Sequence, residues 1–196
     1  MNSFLIAGLG NIGDEYDHTR HNIGFDILDA CATKWGVKFD NNKRYGSIAE
    51  HSLKGRKITL LKPSTYVNLS GKAIRYWLQE ANVPIFHLLV VVDDLALPFG
   101  TLRMKGMGSD GGHNGLKNTQ EILQSNNYPR LRFGIENKFP KGGQVNYVLG
   151  QWSEEEQKTL PEHISKAVDA IEAFCLIGLE RTMNFHNTKS PGRTSN

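Results

Sequence analysis

The sequence predicts an α/β fold, a single domain built on a twisted mixed β-sheet with helices on both faces. Three observations lead there. Short apolar runs ended by glycine or aspartate alternate with stretches of helical periodicity. The most hydrophobic run, Leu88 to Val92, reads as a buried central strand. Two strand-like segments joined through Lys54-Gly55 interrupt an otherwise regular βαβ rhythm, so the sheet is mixed. A chain of 196 residues can bury one substantial core, and neither an internal repeat nor a linker divides it.

Phe4-Leu5-Ile6-Ala7 reads as a buried strand that runs into a glycine turn. Ile23, Ile27, Leu28, Cys31 and Ala32 share one helical face, giving a first helix from about Asn22 to Trp35. Tyr45 to Glu50 and Lys57 to Leu61 form the hairpin. Ser70 to Ala81 places Ala73, Ile74, Trp77 and Leu78 at helical spacing. After the central strand, Gly111-Gly112 opens a helix whose apolar side includes Leu116, Ile122 and Leu123. Leu131 to Ile135 and Val145 to Leu149 read as further strands. Ser153 to about Asn184 reads as mostly helix, with Ser153 as N-cap and Glu156 completing a capping box. Residues 187–196, with Pro191-Gly192 among small polar residues, read as a disordered tail.

Composition excludes several classes. The chain is 39% hydrophobic and 22% charged, and no stretch approaches the roughly 18 apolar residues of a membrane span. Met1-Asn2-Ser3 supplies no basic flank for a signal peptide. Cys31 and Cys175 both lie in apolar helical patterns, so buried thiols and a cytoplasmic location are expected. A net charge of +3 permits a local positive surface without demanding one.

Gly8-Leu9-Gly10-Asn11-Ile12-Gly13 matches the dinucleotide fingerprint, which works by setting a pyrophosphate on a helix N-terminus. Here Asp14, Glu15 and Asp17 follow at once and would repel phosphate. No ribose-binding acid stands clearly about 20 residues on, Asp40 being late and poorly placed. We expect no nicotinamide or flavin cofactor, and read the segment as a tight turn that exposes Asn11.

His21, just before the first helix, can accept a proton near neutral pH if its tautomer is held. Asp93 ends the central strand, where α/β sheets bind ligands, and could hold it. No serine elbow or activated cysteine accompanies them, so the base would act on water. Asn11, Asn68 and Asn114 occupy turn-like segments from which uncharged amides could bind a carbonyl or oxyanion. His18, His21, His113 and the Asp93-Asp94 pair lack a metal-binding frame, and no metal is expected.

Taken in order, these segments resemble the bacterial-type peptidyl-tRNA hydrolases. The resemblance rests on Gly8-Leu9-Gly10-Asn11 with Tyr16, Thr19-Arg20-His21-Asn22-Ile23-Gly24, and Lys62-Pro63-Ser64-Thr65-Tyr66-Val67-Asn68-Leu69-Ser70-Gly71. It continues through Val92-Asp93-Asp94-Leu95, Gly111-Gly112-His113-Asn114-Gly115, Arg130-Leu131-Arg132-Phe133-Gly134 and Tyr147-Val148-Leu149-Gly150. It implies a hydrolase domain over residues 1–186 that cleaves the ester joining a peptide to the 3′-terminal ribose of tRNA. His21 would be the general base, Asp93 would keep it basic, and Asn11 would recognise the blocked substrate. Asn68, Asn114, Tyr16 and Tyr66 would hold the peptide and the terminal nucleotide. Lys105 and Arg132 would clamp the 5′ phosphate, with Arg103 and Lys117 extending that surface and His113 as an additional site residue. The implied partner is peptidyl-tRNA alone, bound by a monomer through the acceptor stem, 3′ end and 5′ phosphate, with no cofactor and no membrane. Four departures from the family pattern stand at Ile12, Ala96, Ser109-Asp110 and Glu136-Asn137. Ala96 removes a charge near Asp93, and Glu136 adds one that opposes RNA.

Overall fold

The computed structural model describes residues 2–189. Strand β1 (Ser3–Gly8) is followed by helix α1 (Ile23–Trp35), then β2 (Asp40–Lys43), β3 (Gly46–Leu53), β4 (Arg56–Pro63) and α2 (Ser70–Glu80). Next come β5 (Leu88–Asp94), β6 (Leu102–Lys105), α3 (Asn114–Leu123) and β7 (Arg130–Gly134). Helices α4 (Gln144–Val148), α5 (Glu154–Ile177) and α6 (Leu179–His186) complete the described chain. None of these helices is long and apolar enough to cross a membrane.

The strands form one sheet in the order β2-β3-β4-β1-β5-β7-β6. Its centre, β4-β1-β5-β7, is parallel, and β3 and β6 add antiparallel strands on either side. Side-chain alternation divides the interior in two. Phe4 and Ile6 of β1, with Leu89 and Val91 of β5, pack on one face against Ile27, Cys31 and Ile171 of α1 and α5. Leu5, Ala7, Leu88, Val90 and Val92 pack on the other against Ala73, Ile74, Trp77 and Leu116 of α2 and α3. Both faces are covered, as continuous apolar runs in parallel strands require.

Local chemistry explains the boundaries. Lys54 and Gly55 join β3 to β4 at φ values of 46° and 80°, the paired left-handed conformations of a tight hairpin turn. Ser153 caps α5, its hydroxyl accepting from the Glu156 amide while Glu156 returns the bond. Gly178, at φ 85°, breaks the long helical stretch into α5 and α6.

Several expectations are corrected. Val145 to Leu149 is not a strand but the short helix α4. Five apolar-rich residues satisfy either period, and here Val145 and Val148 turn together toward one cleft. Strand β2 had no hydrophobic signal because all four of its residues are exposed, and β6 is too short to register. The helix after the glycine pair starts at Asn114 with His113, not a glycine, as its cap. Residues 187–189, the start of the stretch read as a tail, lie within the described residues. Asn187 and Thr188 hydrogen-bond the backbone of Leu102 and Met104 along the outer side of β6. Pro191-Gly192 lies outside the described residues.

Candidate active site

The glycines after β1 serve packing. A Cβ on Gly8 would lie 2.3 Å from the Gly24 carbonyl oxygen, and one on Gly24 would lie 2.6 Å from the Leu9 nitrogen. The start of α1 is therefore pressed onto the end of β1. A 3₁₀ turn of Asp14 to Tyr16, not a long helix, follows Gly13. This close approach carries the turn Arg20–Asn22 to the carboxyl end of β5.

That turn is pinned on both sides of His21. The buried Arg20 guanidinium donates to Glu156 Oε1 at 2.9 Å and to the Tyr147 carbonyl at 3.2 Å, and lies 4.2 Å over the Tyr147 ring. Asn22, also buried, accepts from the Asn11 amide at 2.8 Å and donates to the Asn11 carbonyl at 2.9 Å. Asn11 Oδ1 in turn accepts from the Val67 amide at 2.8 Å. With its oxygen occupied, the side chain of Asn11 offers an NH₂ donor.

His21 Nδ1 lies 3.0 Å from both oxygens of the buried Asp93 carboxylate. A carboxylate accepts, so Nδ1 carries the hydrogen and Nε2 is left with its lone pair. Burial works against a charged His21, but the charge and hydrogen bond of Asp93 outweigh it and raise the pKa. Burial also pushes the Asp93 carboxyl up; His21 and His113 overcome this and hold it well below the usual carboxylate range. His113 Nε2 lies 2.9 Å from Asp93 Oδ1, and its Nδ1 accepts from the amides of Gly115 and Leu116.

His21, Asp93 and His113 offer three donor atoms within 4.8 Å of one another, a grouping that could hold a metal ion. To ligate through Nε2, a neutral His113 would have to move its proton to Nδ1, where two amides already point. Metal binding and capping of α3 therefore compete.

The cleft over these groups has a volume of about 350 Å³ and is lined by His21, Asp93, His113, Asn114 and Arg132, with Val145 and Val148 from α4. Among the described residues, neither serine nor cysteine lines it. A larger hollow of about 840 Å³ between α1 and α5 holds none of the site residues expected from sequence. Asn114, exposed, is the first residue of α3. Asn68 stands exposed in the turn Val67–Leu69, which touches the start of α3: a Cβ on Gly115 would lie 2.8 Å from Val67 Cγ1. Tyr66 and Tyr16 meet edge to face at 6.4 Å beside that turn.

Across β6 and β7, Arg103 faces Arg132 and Lys105 faces Arg130. Like charges opposed in a sheet repel unless something separates or binds them. Arg130 is fully buried, its guanidinium held by the carbonyls of Gly108, Asn126 and Tyr128. Arg132 donates to the Ser109 carbonyl at 2.8 Å and approaches Asp94 at 3.5 Å. Lys105 remains exposed, as does Lys117 on α3. Sequence reasoning gave no role to Asn22, Arg20 or Arg130, although each stood inside a quoted motif: Arg20 meets Tyr147 and Glu156 far along the chain, and Asn22 and Arg130 bind backbone groups, which side-chain patterns do not reveal. Of the departures, Glu136 is paired with Lys138 at 3.3 Å, and the Ala96 amide donates to Asp94 Oδ1 at 2.8 Å.

An imidazole held by a buried carboxylate at the carboxyl ends of parallel strands gives the cleft the general base that a hydrolytic enzyme of the α/β class needs. The family model described as peptidyl-tRNA hydrolase matches residues 5–193. The peptidyl-tRNA hydrolase of Phocaeicola vulgatus is 58% identical over 186 residues, covering 95% of this chain and 99% of the relative. That of Clostridium botulinum is 40% identical over 94% of this chain and 96% of its own length. The crystal structure of peptidyl-tRNA hydrolase from Acinetobacter baumannii superposes with a TM-score of 0.89 at 32% identity, covering 97% of each chain. The chain belongs to the peptidyl-tRNA hydrolase family.

Proposed function

We propose that this chain cleaves the ester between a peptide, or an N-blocked aminoacyl group, and the 3′-terminal ribose of tRNA, with His21 as general base on water. The observation that carries the reading is the His21 Nδ1 contact with buried Asp93, which leaves Nε2 as the proton acceptor. Water bound at Nε2 attacks the ester carbonyl carbon and gives its proton to the ring. The tetrahedral oxyanion forms within reach of amide donors. Collapse breaks the bond to the ribose 3′ oxygen, which takes the proton back from the imidazolium. The products are a free peptide carboxyl group and tRNA with a free hydroxyl.

Asn11, its oxygen fixed by Val67, directs its NH₂ group at the blocked peptide end of the substrate. Asn68, Asn114, Tyr16 and Tyr66 hold the peptide and the terminal nucleotide. Lys105 and Arg132 take the 5′ phosphate of the acceptor stem, with Arg103 and Lys117 beside them; such contacts position RNA without reading its sequence. The enzyme acts as a monomer in the cytoplasm and needs neither metal nor cofactor.

The test is release of peptide from N-acetylated aminoacyl-tRNA by the wild-type protein and by His21→Ala. Loss of the base is expected to lower turnover about 10²- to 10⁴-fold while leaving tRNA binding intact. Undiminished cleavage would remove His21 from the mechanism.

A further inference from the structure

Both ring nitrogens of His113 are in use, and their uses fix its tautomer. Nδ1 accepts the amide hydrogens of Gly115 at 3.1 Å and Leu116 at 3.3 Å, so it carries no hydrogen of its own. The neutral ring therefore keeps its proton on Nε2, which donates to Asp93 Oδ1 at 2.9 Å. One carboxylate is thus shared by two imidazoles whose centroids are 5.2 Å apart. The buried carboxylate has these two histidines as its side-chain partners.

We propose that His113 is a positioning residue for the hydrolysis, acting through Asp93 to set both the orientation and the basicity of His21. This deepens the reading of His21 as base and rests on it. A donor on one oxygen draws charge away from the carboxylate and limits how strongly it can hold the His21 proton. It also stops the carboxylate from turning, so both oxygens stay equidistant from His21 Nδ1. Because the same ring caps α3, the helix that presents Asn114 moves as one piece with Asp93.

Other charges face the cleft and stay constant in the test: Asp94 from β5, Asp110 from the loop before α3, and Arg132 from β7. Arg20, next to His21 in sequence, is already neutralised by Glu156. None of these touches Asp93 through the ring of His113.

Two substitutions separate the two uses of the ring. Asn sets an oxygen where Nδ1 stands and is a good helix cap, but falls short of Asp93. Gln reaches as far as Nε2 with an amide donor, but loses the cap. For His113→Asn, the acid limb of the kcat/KM profile on N-acetylated aminoacyl-tRNA is expected to move up by about half a pH unit or more. Its turnover near neutrality should fall about 3- to 10-fold at unchanged thermal midpoint. For His113→Gln, the wild-type limb is expected at a lower thermal midpoint. An unshifted limb and full turnover in His113→Asn would overturn the proposal, as would a limb shifted equally in both variants. His21→Ala run alongside keeps the two readings distinct: if it retains full activity, the base assignment fails, whatever the His113 variants do.

Discussion

A base that holds its proton more tightly must be relieved of it before it can act. Burial disfavours the charged ring of His21, yet Asp93 leaves its pKa above the ordinary 6.5. Activity should therefore rise with pH through a midpoint above about 6.5. A kcat/KM profile from pH 5 to 9 checks this, and a midpoint below 6.5 would contradict the coupling. The same shifts act on stability with opposite limits. The contribution of His21 is complete below 6.5 and is lost as pH rises through its folded value. That of Asp93 is complete above 3.8 and is lost as pH falls toward its depressed value. The pair is most stabilising between those two reference values. His21 and Asp93 were legible in sequence because each is a chemically distinctive residue at a predictable break. Asn22 was not: its function is to clamp the backbone of Asn11, and a buried amide in a helix-start motif looks like any cap until its partner is known.

At the scale of elements, the site depends on how closely α1 approaches β1. A Cβ on Gly24 would meet the Leu9 nitrogen at 2.6 Å and the Val91 carbonyl oxygen at 2.7 Å, both backbone atoms that cannot swing aside. Gly24→Ala should cost about 2–3 kcal/mol in urea unfolding, because α1 would have to shift away from the sheet. It should also lower activity, since the turn bearing His21 leads directly into that helix. A change below about 0.5 kcal/mol would mean the helix has room to move. Elements with strong periodicity, such as α1, α2 and β5, were readable from side-chain pattern alone. Helix α4 was misread because five apolar-rich residues do not distinguish a period of 2 from one of 3.6. Its conformation follows from tertiary contacts, with Tyr147 stacked beneath Arg20 and Val145 and Val148 facing the cleft.

For the whole molecule, the sheet buries two apolar faces, and continuous runs in β1 and β5 announced that both would be covered. The edges could not be foreseen in the same way, because an outer strand needs no strong hydrophobic signature. β2 is short, polar and irregular in register, features that discourage other strands from adding to it. β6 has a different safeguard. Asn187 and Thr188 occupy the outward amides and carbonyls of Leu102 and Met104 with their own backbone and side chains. Removing everything after His186 would leave those groups bare on a strand that also presents Arg103 and Lys105. Light scattering at raised ionic strength, where cationic repulsion is screened, should then report self-association that the full chain resists. Two polar residues would thus act as a guard against polymerisation at the sheet's edge, a duty unrelated to the chemistry at its centre.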